Sequence, residues 1–372
     1  MTRPLRIGVD ARELLGDTTG VGRYLGELMR RWTARADADR RRFILYTPDP
    51  LPLAFPERAA EVRTVGRGAG TWWEQTSLRR TATKDGLDLF FAPAYTAPLG
   101  IGVPLAVTIH DISFIAHPEW FRPRERLRRR FLTGRAAAAA SVVFTDSEFS
   151  RQELETRLHV DRSRIRVIPP GVSTVANRPA RAATREPLVL YVGSLFNRRR
   201  LPDLITAFAR GTSDMPSARL VIVGADRTWP KQDLRAAAER CGVAAKIDLR
   251  DYVPEAELTE LYARASVFGF LSEYEGFGLT PLEALAAGVP IVVLDTPIAR
   301  EVYGEAAEYV AVDDAAGTAA ALRRFLTSRA PAETQLAQAP AVLARYSWDR
   351  AAEETLRQLE RIVDPGATAR HS

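Results

Sequence analysis

Lysine, cysteine and histidine are all scarce in this 372-residue chain. The only lysines are Lys84, Lys231 and Lys246, so 49 of the 52 basic residues are arginine. A single cysteine, Cys241, excludes an intramolecular disulfide and any cysteine-cluster metal site, and reads as a small buried residue in a helix. Four histidines (His110, His117, His159 and His371) leave few side chains able to carry a proton near neutral pH. No apolar run approaches the ~20 residues of a membrane span. The longest, such as Ser266–Leu271 and Pro290–Leu294, have the length of strands. The start, Met1 to Arg6, runs into a strand without a secretory apolar region, and the expected location is cytoplasmic. The tight glycine fingerprint of dinucleotide-binding strands is also missing, which disfavours a nicotinamide dehydrogenase. There is no convincing D-x-D metal pair either: Asp37-Ala38-Asp39 precedes a strand, where a metal pair would follow one.

What is present describes a globular protein: 46% hydrophobic and 26% charged residues, in a chain long enough for two α/β domains. The net charge of +6 is compatible with phosphates, anionic lipid or nucleic acid. No nucleic-acid recognition motif accompanies it, so nucleic acid is not an expected partner. The arginine bias also reflects overall composition.

Two series of continuous apolar runs alternate with helical patterns. The first holds 5–11, 43–47, 87–92, 104–110, 141–145 and 165–169; the second holds 188–193, 219–224, 246–249, 266–271, 290–295 and 308–312. Continuous rather than alternating runs predict strands buried on both faces of a parallel sheet. Helical patterns lie at 21–33, 124–140, 201–210, 232–241, 255–264 and 280–287. The expected fold class is therefore α/β, with two Rossmann-like, doubly wound parallel-sheet domains facing a cleft. The expected boundaries are an N-terminal domain 1–171, a Pro- and Ala-containing linker 172–187 and a C-terminal domain 188–345. A helix over 346–363 is expected to cross back to the N-terminal domain, and 364–372 to form a flexible tail.

Four segments carry chemistry. In Ser272-Glu273-Tyr274-Glu275-Gly276-Phe277-Gly278-Leu279-Thr280-Pro281-Leu282-Glu283, a buried strand is followed by a glycine turn and a helix start, which suits an anion. Glu283, on the first helical turn, also completes a capping box with Thr280 and with Pro281 at the first position. Glu275, wedged among glycines, serves no helix. In Gly193-Ser194-Leu195-Phe196-Asn197-Arg198-Arg199-Arg200, three arginines follow a strand end, where α/β proteins bind ligands and where guanidinium forks suit phosphate. His110-Asp111 lies at a strand exit, readable as a hydrogen-bonding group for a ligand or as a satisfied strand-end histidine. Gly20-Val21-Gly22-Arg23 is a glycine loop and alone a weak signal.

The first of these segments, continuing through Ala284–Pro290, closely resembles the E-x7-E region of retaining glycosyltransferases of family 4, which have the GT-B fold. The arginine loop resembles the family's Gly-x-Leu-x-x-Arg-Lys-Asn, with Arg198 on its arginine and Arg199 replacing its lysine. The resemblance implies a nucleotide-sugar donor held mainly by the C-terminal domain. Glu275 would lie near the sugar, Glu283 on the ribose, and the backbone around Phe277, Gly278 and Leu279 against sugar and diphosphate. Arg198 and Arg199 would stabilise the departing diphosphate, with Ser194, Gly224, Tyr252 and Val253 at strand ends framing the nucleotide, and Gly20 and Gly22 over the diphosphate. His110 would act beside the reacting centre, and Arg23 and Asp111 would face the acceptor. No metal and no further cofactor are expected. The style of the N-terminal half most resembles mannosyl- or rhamnosyl-transferring members acting on polysaccharide or glycolipid, with GDP-mannose the leading donor. A nucleotide-sugar epimerase of the same architecture, or a non-catalytic sugar-nucleotide-binding relative, are the alternatives. Finally, Phe121–Arg135 contains seven arginines against one glutamate, with Leu127 and Phe131 four apart. It reads either as a solvated helix or as a peripheral contact with anionic membrane.

Overall fold

The computed structural model describes residues 3–16, 20–66, 68, 70–172 and 185–364. The expected tail and most of the expected linker lie outside the described residues. The chain divides into two compact units, one of residues 1–116, 124–171 and 347–372, the other of 117–123 and 172–346.

The first unit is built on seven strands: β1 Leu5–Asp10, β2 Arg41–Thr47, β3 Ala60–Thr64, β4 Leu89–Ala92, β5 Leu105–Thr108, β6 Val142–Thr145 and β7 Ile165–Val167. They pair in the order β3-β2-β1-β4-β5-β6-β7, every pairing parallel. β4, β5 and β6 are buried at every position, as helices on both faces of a parallel sheet require. β3 has no counterpart among the expected strands. It is an edge strand whose residues alternate between covered and open, so it shows no continuous apolar run.

The long helix Gly20–Ala34 and the C-terminal helix Trp348–Arg361 close one face of this unit. Ser347 caps the second, its side chain accepting from the Arg350 N–H. Trp32 stacks on Phe43 at 5.3 Å and its Nε1 donates to the Ala352 carbonyl at 2.8 Å. Leu356 and Leu359 complete the cluster, and truncating a leucine so buried costs ~2–5 kcal/mol. Gly171 lies so close to this helix that an added Cβ would stand 2.1 Å from the Trp348 nitrogen.

The second unit has six strands: β8 Leu188–Val192, β9 Arg219–Val223, β10 Ile247–Arg250, β11 Val267–Phe270, β12 Ile291–Leu294 and β13 Glu308–Val310. Their order is β10-β9-β8-β11-β12-β13, again all parallel. Tyr191, Phe268 and Phe270 stack along its centre. Arg185, counted in the linker by sequence, belongs to this unit's body: its guanidinium donates to the carbonyls of Tyr262 at 3.0 Å and Gly288 at 2.7 Å. Cys241 corrects its expectation in a small way. It is half-buried and sits just past the helix Leu234–Arg240, where the chain leaves the packed face.

Candidate active site

In the second sheet the strand order reverses between β8 and β11, and ligands of open α/β sheets bind at such a point, outside the carboxyl ends of the strands. The two strongest sequence segments leave the sheet there. The loop after β8 carries Arg198 and Arg199, and the loop after β11 carries Glu275. A backbone bond from Glu273 N–H to the Arg198 carbonyl at 2.9 Å ties the loops together.

Three consecutive arginines look alike in sequence but have separate fates. Arg200 turns away through a left-handed backbone (φ 50°) and is matched by Asp203, Glu273 and Asp313. Arg198 and Arg199 lie over the faces of Phe196 and Phe270, at 4.3 and 4.4 Å. Both approach one acceptor, Glu275 Oε1, at 3.5 and 2.7 Å, which also accepts from Ser272 Oγ at 2.5 Å. The Arg199 contact is electrostatic rather than a directed hydrogen bond. Its buried Nε has no hydrogen-bond partner, while Nη1 is held against the Glu275 carboxylate. The Nε–H of this guanidinium is therefore available to donate to an anion. The Glu275 carboxylate closes a small pocket whose remaining walls include Phe270, Phe277, Val293 and Ile298, an apolar setting that strengthens charge interactions.

The helix beside this pocket spans Leu279–Ala286, with Gly278 as its N-cap. The capping-box reading is thereby corrected. Thr280 is already inside the helix, Pro281 is its third residue, and Glu283 lies beyond the first turn. Pro281 is tolerated because the first backbone N–H groups of a helix lack intrahelical partners. Gly278 is required twice over: its φ is 93°, and an added Cβ would meet Tyr303 Oη at 2.2 Å. Tyr303 Oη donates to the Gly278 carbonyl at 3.0 Å and fixes the turn. Burial raises both the Tyr303 phenol and the Tyr191 phenol, the latter to about 12, so both remain neutral donors.

The remaining expected donor residues of this unit also sit at strand ends. Gly193 and Gly224 follow β8 and β9, packed so tightly that an added Cβ on Gly224 would stand 2.0 Å from the Gly193 carbonyl oxygen. The Ser194 carbonyl accepts from Tyr191 Oη at 3.1 Å. After β10, Tyr252 is 69% exposed and Val253 is buried.

In the first unit, Gly20, Gly22 and Arg23 form the opening turn of the helix Gly20–Ala34 rather than a loop. His110 lies just beyond β5 with both ring nitrogens engaged, Nδ1 on Asp146 Oδ2 at 2.7 Å and Nε2 on the Pro93 carbonyl at 3.1 Å. Because a carbonyl can only accept, Nε2 carries a proton. The Asp146 carboxylate favours a second on Nδ1 and raises the imidazole pKa against the opposing effect of burial. In this arrangement both ring nitrogens are taken by protein groups. Tyr24 and Tyr95 hold it edge-on, at 5.1 and 5.6 Å, and Tyr95 Oη donates to Asp111 Oδ2 at 3.2 Å.

Sequence reasoning did not find a buried network at this sheet's own reversal, between β1 and β4. Arg12 binds Asp10 Oδ2 at 2.8 Å and Glu74 Oε1 at 3.0 Å, and Thr96 Oγ1 donates to the same Glu74 oxygen at 2.8 Å. Burial raises both carboxyl pKa values against the pull of Arg12. Among the described residues no group of three or more His, Cys, Asp or Glu side chains is placed to hold a metal ion, and no helix is long and apolar enough to cross a membrane.

Two family models match the chain: "Glycosyltransferase Family 4" over residues 18–175 and "Glycosyl transferases group 1" over residues 175–340. Among curated proteins, O-antigen chain mannosyltransferase B of Escherichia coli is 25% identical over 363 residues, covering 91% of this chain and 95% of the relative. GDP-mannose:cellobiosyl-diphosphopolyprenol alpha-mannosyltransferase of Xanthomonas campestris is 30% identical over 271 residues, 71% of this chain and 69% of the relative. Among solved structures, WaaG, a glycosyltransferase involved in lipopolysaccharide biosynthesis, superposes with a TM-score of 0.75 at 17% identity, covering 97% of this chain and all of WaaG. HepE of Anabaena in complex with UDP-glucose gives 0.68 at 19% identity, covering 95% of this chain and 99% of HepE.

Proposed function

The chain belongs to glycosyltransferase family 4, and we propose that it is a retaining hexosyltransferase that moves mannose from GDP-mannose to a hydroxyl of a glycan or glycolipid without a metal. A deoxyhexose such as rhamnose is the other candidate sugar. The observation that carries the reading is Arg199, whose buried Nε has no hydrogen-bond partner and whose Nη1 faces Glu275 at the sheet reversal. The donor diphosphate takes the Nε–H of Arg199 together with Arg198 and the first backbone N–H groups of the helix Leu279–Ala286. As the sugar–phosphate bond breaks, negative charge grows on the leaving phosphate. Fixed cations in a dry site then supply the stabilisation that a divalent ion supplies elsewhere. Glu275, already held by Ser272, positions the sugar and steadies positive charge at its anomeric carbon. Glu283 takes the ribose hydroxyls. His110, with its nitrogens occupied, positions the strand ends of the first unit, where the acceptor side lies.

The mannose assignment is supported by the two relatives, both named as mannosyltransferases. A glycan or lipid-linked acceptor follows the same names. The test is a thermal-shift panel of GDP, UDP, dTDP and NAD in chelator, on wild type and Glu283→Ala. A ligand that binds only the native state raises the melting temperature. A shift with GDP that shrinks in the variant supports the reading; no shift, or a shift with NAD alone, sinks it. Retention is read separately by NMR of the product: an α-linkage from the α-linked donor is expected, and a β-linkage would contradict it.

A further inference from the structure

The second unit includes seven residues, His117–Pro123, drawn from between two stretches of the first. Within them Pro118–Trp120 forms a single 3₁₀ turn, closed by a hydrogen bond from the Trp120 N–H to the His117 carbonyl at 3.2 Å. Side chains three residues apart eclipse in such a turn. The His117 imidazole accordingly stacks on the Trp120 ring, with centroids 4.0 Å apart and planes 10° from parallel. The same imidazole meets the Tyr274 ring edge-on, at 5.3 Å and 70°. Its Nδ1 donates to Glu119 Oε1 at 3.1 Å, which limits the ring's rotation. Two residues past Trp120, the Arg122 guanidinium lies over the face of Trp229 at 4.8 Å.

Both partners of this strap adjoin the site. Tyr274 is buried directly before Glu275 and directly after Glu273, whose N–H is bonded to the Arg198 carbonyl. Trp229 N–H donates to Asn197 Oδ1 at 2.6 Å, and Asn197 Nδ2 donates to the Pro230 carbonyl at 3.0 Å. Asn197 opens the turn that presents Arg198 and Arg199. One short segment therefore rests on the loop after β11, on the loop after β9 and, through Asn197, on the loop after β8. Neither contact builds core, because Arg122 is exposed and His117 and Trp120 are half-buried. Surface pairs of this kind narrow the conformations of loops that a ligand would otherwise have to order. Such preorganisation shows in affinity rather than in global stability. We propose that His117 and Arg122 are positioning residues, which hold the three loops of the donor site in ligand-binding form through Tyr274 and Trp229. The inference rests on the reading of these loops as the seat of a nucleoside diphosphate.

The test uses the full chain and two readouts, calorimetric titration with GDP and amide hydrogen exchange without ligand. His117→Ala and Arg122→Gln should each weaken GDP binding about three- to tenfold, the worth of one aromatic or cation–π pair. Both should also speed exchange in the loops after β8, β9 and β11, with melting temperatures close to wild type. His117→Phe keeps a ring for Trp120 and Tyr274, and Arg122→Lys keeps a cation for Trp229. These conservative variants should recover most of the lost affinity. Unchanged exchange in His117→Ala and Arg122→Gln, or faster exchange with undiminished GDP affinity, overturns the positioning role and leaves the donor reading intact. Affinity lost together with the melting temperature, and not recovered by the conservative variants, overturns it as well. If wild type itself binds no GDP, the donor reading falls first and this inference falls with it.

Discussion

Each sheet places an arginine at its reversal, and the two are treated in opposite ways. In the first unit Arg12 is enclosed by two carboxylates, with Asp10 and Glu74 within 3.0 Å. In the second, Arg199 shares one carboxylate with Arg198, and its buried Nε has no hydrogen-bond partner. A closed network of this kind fixes backbone: Arg12 links the end of β1 to the π-helical turn Glu74–Leu78 and, through Thr96, to the loop after β4. The open one is the proposed seat of an anion. The same residue type at matching places in two similar sheets thus does different work, and what decides is the number of acids around it.

Substitution should separate the two roles. The largest effect on stability is expected from Arg12→Met, which strands two buried carboxylates and should lower the unfolding free energy by ~3–5 kcal/mol in denaturant titration. The loss should diminish in acid, where the stranded groups take up protons. Arg199→Met should leave the fold much less affected but lower kcat/KM for donor by about 10²- to 10³-fold, the usual cost of one transition-state donor. If instead Arg199→Met unfolds the protein and Arg12→Met only slows it, the contrast is wrong. Gly278→Ala forces a side chain into left-handed backbone against Tyr303 and should cost ~1–3 kcal/mol. Adding Tyr303→Phe should recover the steric part only, which thermal melts of the single and double variants would show. The smallest effect is on pH dependence. The folded pKa of His110 is raised by Asp146, so its contribution to stability is full below the unfolded value of about 6.5 and is lost as pH rises through the folded value. Melting temperatures of wild type and His110→Gln should converge across that window, and parallel curves would refute the ion pair.

Much of this was legible in the sequence, and what was not has physical causes. Strands buried on both faces announce themselves as apolar runs, so β8, β9 and β11 read directly, whereas β3, half open at the sheet edge, does not. Glu275 stands out because a carboxylate among glycines has no local use. The three arginines after β8 cannot be ranked from sequence: Arg200 is set apart from Arg198 and Arg199 by Glu273 and Asp313, more than seventy residues away in the chain. The Asp10–Arg12–Glu74 network is hidden for the same reason. The capping-box reading of Glu283 fails because Gly278, through its positive φ, is the N-cap and the helix starts at Leu279, which leaves Thr280 as its second residue.

The account turns on Arg199 as the seat of a diphosphate, and calorimetric titration of GDP into wild type and Arg199→Met, both in chelator, tests it most directly. The predicted result is metal-independent binding by wild type that is weakened about 100-fold or more in the variant. Equal affinity in the two proteins, or binding that appears only with a divalent cation, would contradict it.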